Sequence, residues 1–328
     1  MGDGGRFAGP IRQNFPKNAS GLAIRERIPD CRALVQPIPM TSVFFSRLAS
    51  TLALWIIVLG TILSGNEPGF FLIVSTMGMV GLWEFYRMLD HGKLPNFKIT
   101  AMICGGVLFA GSFLAFHYLG KPQSVDFEAI ALVGFLITVF SRQMFKGLHE
   151  VEPLPTMAYT LFGLFYVAWL FNFMNKIIYI TPRGADLAAT GQYYVLYLMV
   201  VTKFSDMGAY VVGSLCGKHL FVPHISPKKT WEGVGGALLF STLGSFGMLA
   251  LIPQRLPLFN WGHAALLGVV LGFAAIIGDL AESIIKRGAN VKDSGSFLPG
   301  IGGALDLIDS LLFTAPILYF YLRCVLIP

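Results

Sequence analysis

Charge is scarce in this chain. Asp, Glu, Lys and Arg supply 13% of its 328 residues against 55% hydrophobic residues, and the mean hydropathy is +0.66. That balance excludes an ordinary soluble domain of this length and points to a polytopic membrane protein. Cysteine is nearly as rare. Cys31, Cys104, Cys216 and Cys324 form no CxxC pair, which excludes both a cysteine-built zinc site and a disulfide framework. The six histidines lack HExxH or any comparable ligand spacing, so no histidine-based metal site is expected. The chain also lacks a repeat of solenoid period and a charge pattern mirrored between its halves, as an inverted-repeat transporter would show.

What is present is apolar sequence in long runs. Residues 1–42 form a tail carrying Arg6, Arg12, Lys17, Arg25, Arg27 and Arg32, with no apolar run long enough for a signal peptide; it reads as a basic, disordered segment against the inner leaflet. Residues 43–328 then read as a single all-α membrane domain of about nine spans, each near the ~20 residues a bilayer core demands. The spans fall at 44–64, 68–86, 99–119, 126–142, 156–176, 192–213, 232–252, 261–283 and 308–327. With the N-terminus cytoplasmic, this topology leaves only Lys121, Lys176, Arg183, Arg255 and Arg323 outside, five of the 24 basic residues. So large an asymmetry supports an inner-membrane protein with an odd number of spans. The formal net charge of +6 belongs to this topology and to anionic headgroups, and no nucleic-acid partner is expected.

Two polar stretches, within residues 200–310, break the pattern, and both fall on the cytoplasmic side. In the first, Lys203, Asp206 and Tyr210 share a helix face, followed by Gly208, Gly213 and Gly217. The glycines suit either close helix packing or a phosphate. Next comes a loop with Ser226, Lys228, Lys229 and Thr230. Two ammonium groups beside two hydroxyls suit triphosphate oxygens, while the plainer reading is a topological anchor with a helix N-cap at Ser226 or Thr230.

In the second stretch, Asp279, Glu282, Lys286 and Arg287 form one helical stripe, and beyond Pro299, Gly300, Gly302 and Gly303 the pair Asp306 and Asp309 again shares a face. Such carboxylates could converge and hold Mg²⁺, a hard cation wanting oxygen ligands. Several acids beside several bases also fit phosphoryl or nucleotidyl transfer. They could equally satisfy one another as a salt-bridge network.

Taken together these residues resemble the phosphatidate cytidylyltransferase (CDP-diacylglycerol synthase) family of integral membrane enzymes. Its C-terminal motif, S-x-x-K-R-x4-K-D-x-G-x2-L-P-G-H-G-G-x-x-D-R-x-D, is matched from Ser283 through Lys286, Arg287, Lys292, Asp293, Gly295 and Leu298 to Asp306 and Asp309. Two upstream elements match Ser205 to Gly213 and Ile225 to Gly233. Three positions depart from the pattern: Ile301 stands for His, Leu307 for Arg, and Ala304 for a bulkier apolar residue.

The resemblance implies transfer of CMP from CTP to phosphatidic acid, giving CDP-diacylglycerol and pyrophosphate at the cytoplasmic face. It implies Asp279, Asp306 and Asp309 as ligands of Mg²⁺, with K⁺ as a second cation. Lys228, Lys229, Lys286 and Arg287 become the phosphate contacts, with Asp206, Ser226 and Lys292 in support. A homodimer is the family expectation. The rival readings are a cytidylyltransferase or CTP-dependent kinase for another lipid, a membrane transporter, and a non-catalytic homologue.

Overall fold

A computed structural model of the protein describes residues 52–53, 55–119, 121–146, 152–180, 190–292, 294–295 and 302–327. Eight of its helices are long and apolar enough to cross a membrane: α1 Glu67–His91, α2 Lys98–Tyr118, α3 Phe127–Lys146, α4 Pro153–Ile178, α5 Gly191–Cys216, α6 Trp231–Leu251, α7 Trp261–Gly288 and α8 Ala304–Leu326. Each coincides with a span expected from hydropathy. The remaining expected span, 44–64, lies partly outside the described residues, and its 55–63 portion is helical. The basic tail, Arg47, Asp293, Pro299, Gly300 and Ile301 also lie outside them.

Three of the helices, α1, α6 and α7, start where the sequence offers a side chain to cap them. The Asn66 side chain accepts from Gly69 N at 3.0 Å, Thr230 Oγ1 from Gly233 N at 3.1 Å, and Asn260 Oδ1 from His263 N at 2.9 Å. Each satisfies one of the amides that a first helical turn leaves unpaired. Some helices overrun the hydropathy limits at their polar ends; α7 continues five residues past 283, far enough to carry Lys286 and Arg287.

Lateral packing brings the expected small residues to helix contacts. A Cβ on Gly236 would come 2.6 Å from the Gly208 carbonyl, so α5 and α6 cross backbone to backbone. The helix-packing reading of Gly208 therefore holds. Hydroxyls tie the neighbouring contacts: Ser205 Oγ donates to Gly272 O at 3.2 Å and Ser241 Oγ to Gly268 O at 2.8 Å. Between α1, α4 and α8, Leu82, Val167 and Leu312 are fully buried, while Ile99, Ile137 and Leu243 are exposed on the outside, as a lipid-facing surface requires.

Contacts between chain-distant residues define the two ends of this unit. At one, Phe97 N donates to Thr160 Oγ1 at 2.9 Å, and Gly92 packs on the Ala289 backbone. At the other, Leu258 N donates to the Tyr194 hydroxyl at 3.2 Å, and His263 Nδ1 lies 2.7 Å from the Tyr321 hydroxyl. Among the described residues, the strands also lie at the first end. The stretch read as a loop forms an antiparallel hairpin, β1 Leu220–Val222 with β2 Ser226–Thr230. Pro227 is tolerated there because a two-stranded sheet has only edge strands.

Candidate active site

Five elements line a cavity of about 590 Å³ at the hairpin end, α6 among them through Gly233 and Val234. Helix α5 contributes Asp206 and Tyr210, β2 contributes Lys228 and Lys229, α7 contributes Asp279, Glu282 and Lys286, and α8 contributes Asp306, Asp309 and Ser310. The approach of α8 to α7 depends on Gly278, where a Cβ would stand 2.6 Å from the Asp309 carbonyl oxygen. Any larger residue would push Asp309 away from Asp279.

Five carboxylates thus meet three ammonium groups on one lining. Lys229 Nζ, on the hairpin, lies 2.9 Å from Asp279 Oδ2 on α7. Lys286 Nζ donates to Glu282 Oε2 at 2.6 Å and to Asp306 Oδ1 at 2.9 Å, joining α7 to α8. Behind the lining, Lys203 Nζ donates to Asp206 Oδ2 at 3.0 Å and to the Leu307 carbonyl at 3.2 Å. The Ser310 hydroxyl stands 3.2 Å from both Asp206 Oδ1 and Asp309 Oδ1. Glu282 and Asp309 are buried at 1% and 5% exposure, whereas the Asp279 side chain is nearly half exposed to the cavity. Burying acids at this density costs free energy through desolvation and repulsion, and a cationic ligand would offset both.

Residues 45–325 match the cytidylyltransferase family, which is nearly the whole chain beyond the basic tail. The chain belongs to that family. As a cytidylyltransferase-family member it is similar to the phosphatidate cytidylyltransferase of Bacillus subtilis (strain 168), with 33% identity over 271 residues that cover 81% of this chain and 93% of that protein. Its similarity to the phosphatidate cytidylyltransferase of Synechocystis sp. is 30% over 270 residues, covering 74% and 84%. The uncharacterized protein YnbB of Escherichia coli (strain K12) is 38% identical over 200 residues, 59% of this chain and 62% of YnbB's length.

Within this cytidylyltransferase-family chain the fold brings Asp206, Lys228, Lys229, Asp279, Lys286, Asp306 and Asp309 of the expected site residues to one cavity. It does not bring three others there. Arg287 and Lys292 are exposed on the outside of α7 and just beyond it, and Ser226 starts β2 away from the lining. For Arg287 the reason is helical geometry: it lies 100° further round the helix than Lys286, which already faces Asp306. Thr230 serves as the N-cap, as the anchor reading of that stretch has it, while its neighbour Lys229 reaches the carboxylates. The self-satisfied stripe is likewise realised only in part. Lys286 pairs with Glu282 in its own helix, whereas Asp279 pairs with the hairpin.

Several lining residues lie outside the sequence-based site set, Glu282 and Ser310 among them. Glu282 was part of the charged stripe, and its i, i+3 spacing from Asp279 was the signal available. Ser310 adjoins Asp309, and nothing in its spacing marked it.

Carboxylate oxygens are the donors a hard cation takes, and acids outnumber bases on the lining, so the donor chemistry fits Mg²⁺. Among the described residues no group of three His, Cys, Asp or Glu side chains is close enough to hold an ion as it stands. Instead Asp279 and Asp306 each face an ammonium group.

Proposed function

We infer that the chain transfers CMP from CTP to phosphatidic acid, releasing pyrophosphate and leaving CDP-diacylglycerol, at the cytoplasmic face of the inner membrane. The observation that carries this reading is the cavity of five carboxylates and three lysines at one end of a membrane bundle, in a chain of the cytidylyltransferase family. Arg87, Lys93, Lys98, Arg142 and Lys146 belong to the same end of the helices, which supports a cytoplasmic orientation.

In the reaction a phosphate oxygen of the lipid attacks the α-phosphorus of CTP, a new P–O bond forms, and the bond to the leaving pyrophosphate breaks. No protein nucleophile is needed, so the residues act by positioning and by charge. Lys228 and Lys229 stand on the hairpin opposite α7, where they can take triphosphate oxygens. Lys286 holds Glu282 and Asp306 in place and offers its remaining charge to the cavity. The residues that would hold Mg²⁺ are Asp279, Asp306 and Asp309, with Asp206 linked to Asp309 through Ser310. Bound there, Mg²⁺ would neutralise the phosphates and polarise the reacting phosphoryl group.

A lipid acceptor is supported by a second, apolar cavity of about 180 Å³, lined by Phe70, Val74, Met77, Phe171 and Met199 with Lys203 at its edge. Lys203 pairs with Asp206 of the first cavity, so an acyl chain in this slot would leave its phosphate near the carboxylates. Every group invoked lies within one chain, so the reading does not depend on a homodimer.

The test is pyrophosphate release by purified protein given Mg²⁺, CTP and phosphatidic acid, with other lipid phosphates in parallel. Release specific to phosphatidic acid is expected, abolished by omitting Mg²⁺. Preference for another lipid phosphate would change the acceptor assigned here, and no release with any of them would overturn the enzyme reading.

A further inference from the structure

Glu84 stands outside the cavity and outside every motif described above, yet it is the one carboxylate of α1 buried to 0% exposure. A carboxylate at that depth in a membrane bundle is costly unless strongly bonded, and its position demands a reason. Its Oε2 accepts a hydrogen bond from Leu305 N at 2.9 Å, across 221 residues of sequence. Leu305 is the second residue of α8, whose first amides have no partner within the helix. The residue at the N-cap is Gly303, which has no side chain with which to cap. Glu84 supplies from α1 the acceptor that α8 lacks.

The surrounding backbone is shaped to this carboxylate. A Cβ on Gly303 would stand 2.7 Å from Glu84 Oε2, and one on Gly295 would overlap the Glu84 carboxyl group. One turn back on α1, Gly81 lets Ile308 of α8 close in, with its Cδ1 2.9 Å from where a Cβ would be. Glu84 and Gly81, at i and i−3, therefore form a single face of α1 that receives Leu305 and Ile308. Asp306 and Asp309 each follow one of those two residues directly. Fixing the first turn of α8 against α1 thus sets the height and rotation of both carboxylates at the cavity.

We propose that Glu84 is a positioning residue for the transfer reaction, holding the start of α8 so that Asp306 and Asp309 stand in register with Asp279. It touches neither the cavity nor a substrate. The inference rests on the cytidylyltransferase reading for its kinetic consequence, but the hydrogen bond itself can be measured without any activity.

Hydrogen exchange over 302–310 provides that measurement, made on Glu84→Ala and Glu84→Gln alongside the native chain. Gln keeps an acceptor oxygen at the same reach and Ala does not. Glu84→Ala is expected to speed exchange locally in this segment and to lower kcat about 10- to 100-fold, comparable to losing a partner that orients a ligand. KM for CTP is expected to change less than about threefold, since the hairpin lysines are untouched. Glu84→Gln is expected to restore both exchange protection and most of kcat. Unchanged local exchange in Glu84→Ala would overturn the proposal. So would a general loss of folded protein with native kcat per folded molecule, or a Gln variant as defective as the Ala one. Should Glu84→Ala not fold, Gly303→Ala presses on the same contact, and a native kcat in that variant would overturn the proposal as well. A native chain that shows local protection but releases no pyrophosphate would count against the enzyme reading and leave the hydrogen bond standing.

Discussion

Two clusters of buried charge lie at opposite ends of this protein, and they are built differently. At the end away from the hairpin, Glu128 of α3 forms an ion pair with Lys176 of α4, both nearly excluded from solvent. Asn172 Nδ2 donates to Glu128 Oε1 and to Ser112 Oγ, each at 2.9 Å, and Asn175 Nδ2 donates to Asn172 Oδ1 at 3.1 Å. The Lys176 ammonium also lies 4.0 Å from the Phe173 ring centre. One acid meets one base, amides surround them, and none of these residues lines the cavity at the hairpin end. At the hairpin end five acids meet three bases around open space. Burial alone therefore does not tell the two clusters apart; the charge balance and the adjoining cavity do.

The comparison can be broken most severely at the acids. Asp309→Asn is expected to lower kcat about 10²- to 10³-fold, the scale of losing one electrostatic contact to a transition state. Thermal stability should hold or rise, because the substitution removes one of several mutually repelling charges. A fall in both would mean that Asp309 is a structural charge like Glu128. The far cluster should give the opposite pattern. Lys176→Met leaves the Glu128 carboxylate buried without its cation, a loss of about 3–5 kcal/mol in stability. Activity per folded molecule should stay within about twofold, and adding Glu128→Gln should recover most of the stability, as thermal denaturation of the two variants in detergent can show.

Smaller effects sharpen the assignment within the cavity. Lys229→Ala should raise KM for CTP about 10- to 100-fold, in line with about 1.5–3 kcal/mol for a hydrogen bond to a charged group. An unchanged KM would leave Lys229 as a partner of Asp279 alone. Met199→Trp, which narrows the apolar slot, should change the ratio of kcat/KM for long- and short-chain phosphatidic acid by a few-fold. Equal effects on both substrates would remove the slot from the lipid path.

Much of this was legible because hydropathy is a local property. Twenty apolar residues report a span wherever their neighbours go, and a charge placed among them reports an exception. Asp279, Asp306 and Asp309 could be singled out on those grounds, and the basic stretch 228–229 by its composition. The sequence could not show which lysine meets which acid, because helix register and rotation are fixed by side chains from other helices. So Lys286 faces Asp306 while Arg287, its neighbour in the chain, faces outward. By itself the sequence determined the all-helical membrane architecture, the polar end and the inventory of acids and bases, since each follows from composition along the chain. Only the tertiary structure decided that Glu128 and Lys176 neutralise each other and that the hairpin lysine reaches across to Asp279. It alone placed Glu84 of α1 at the head of the helix that carries two of the carboxylates, because that contact joins residues more than two hundred positions apart.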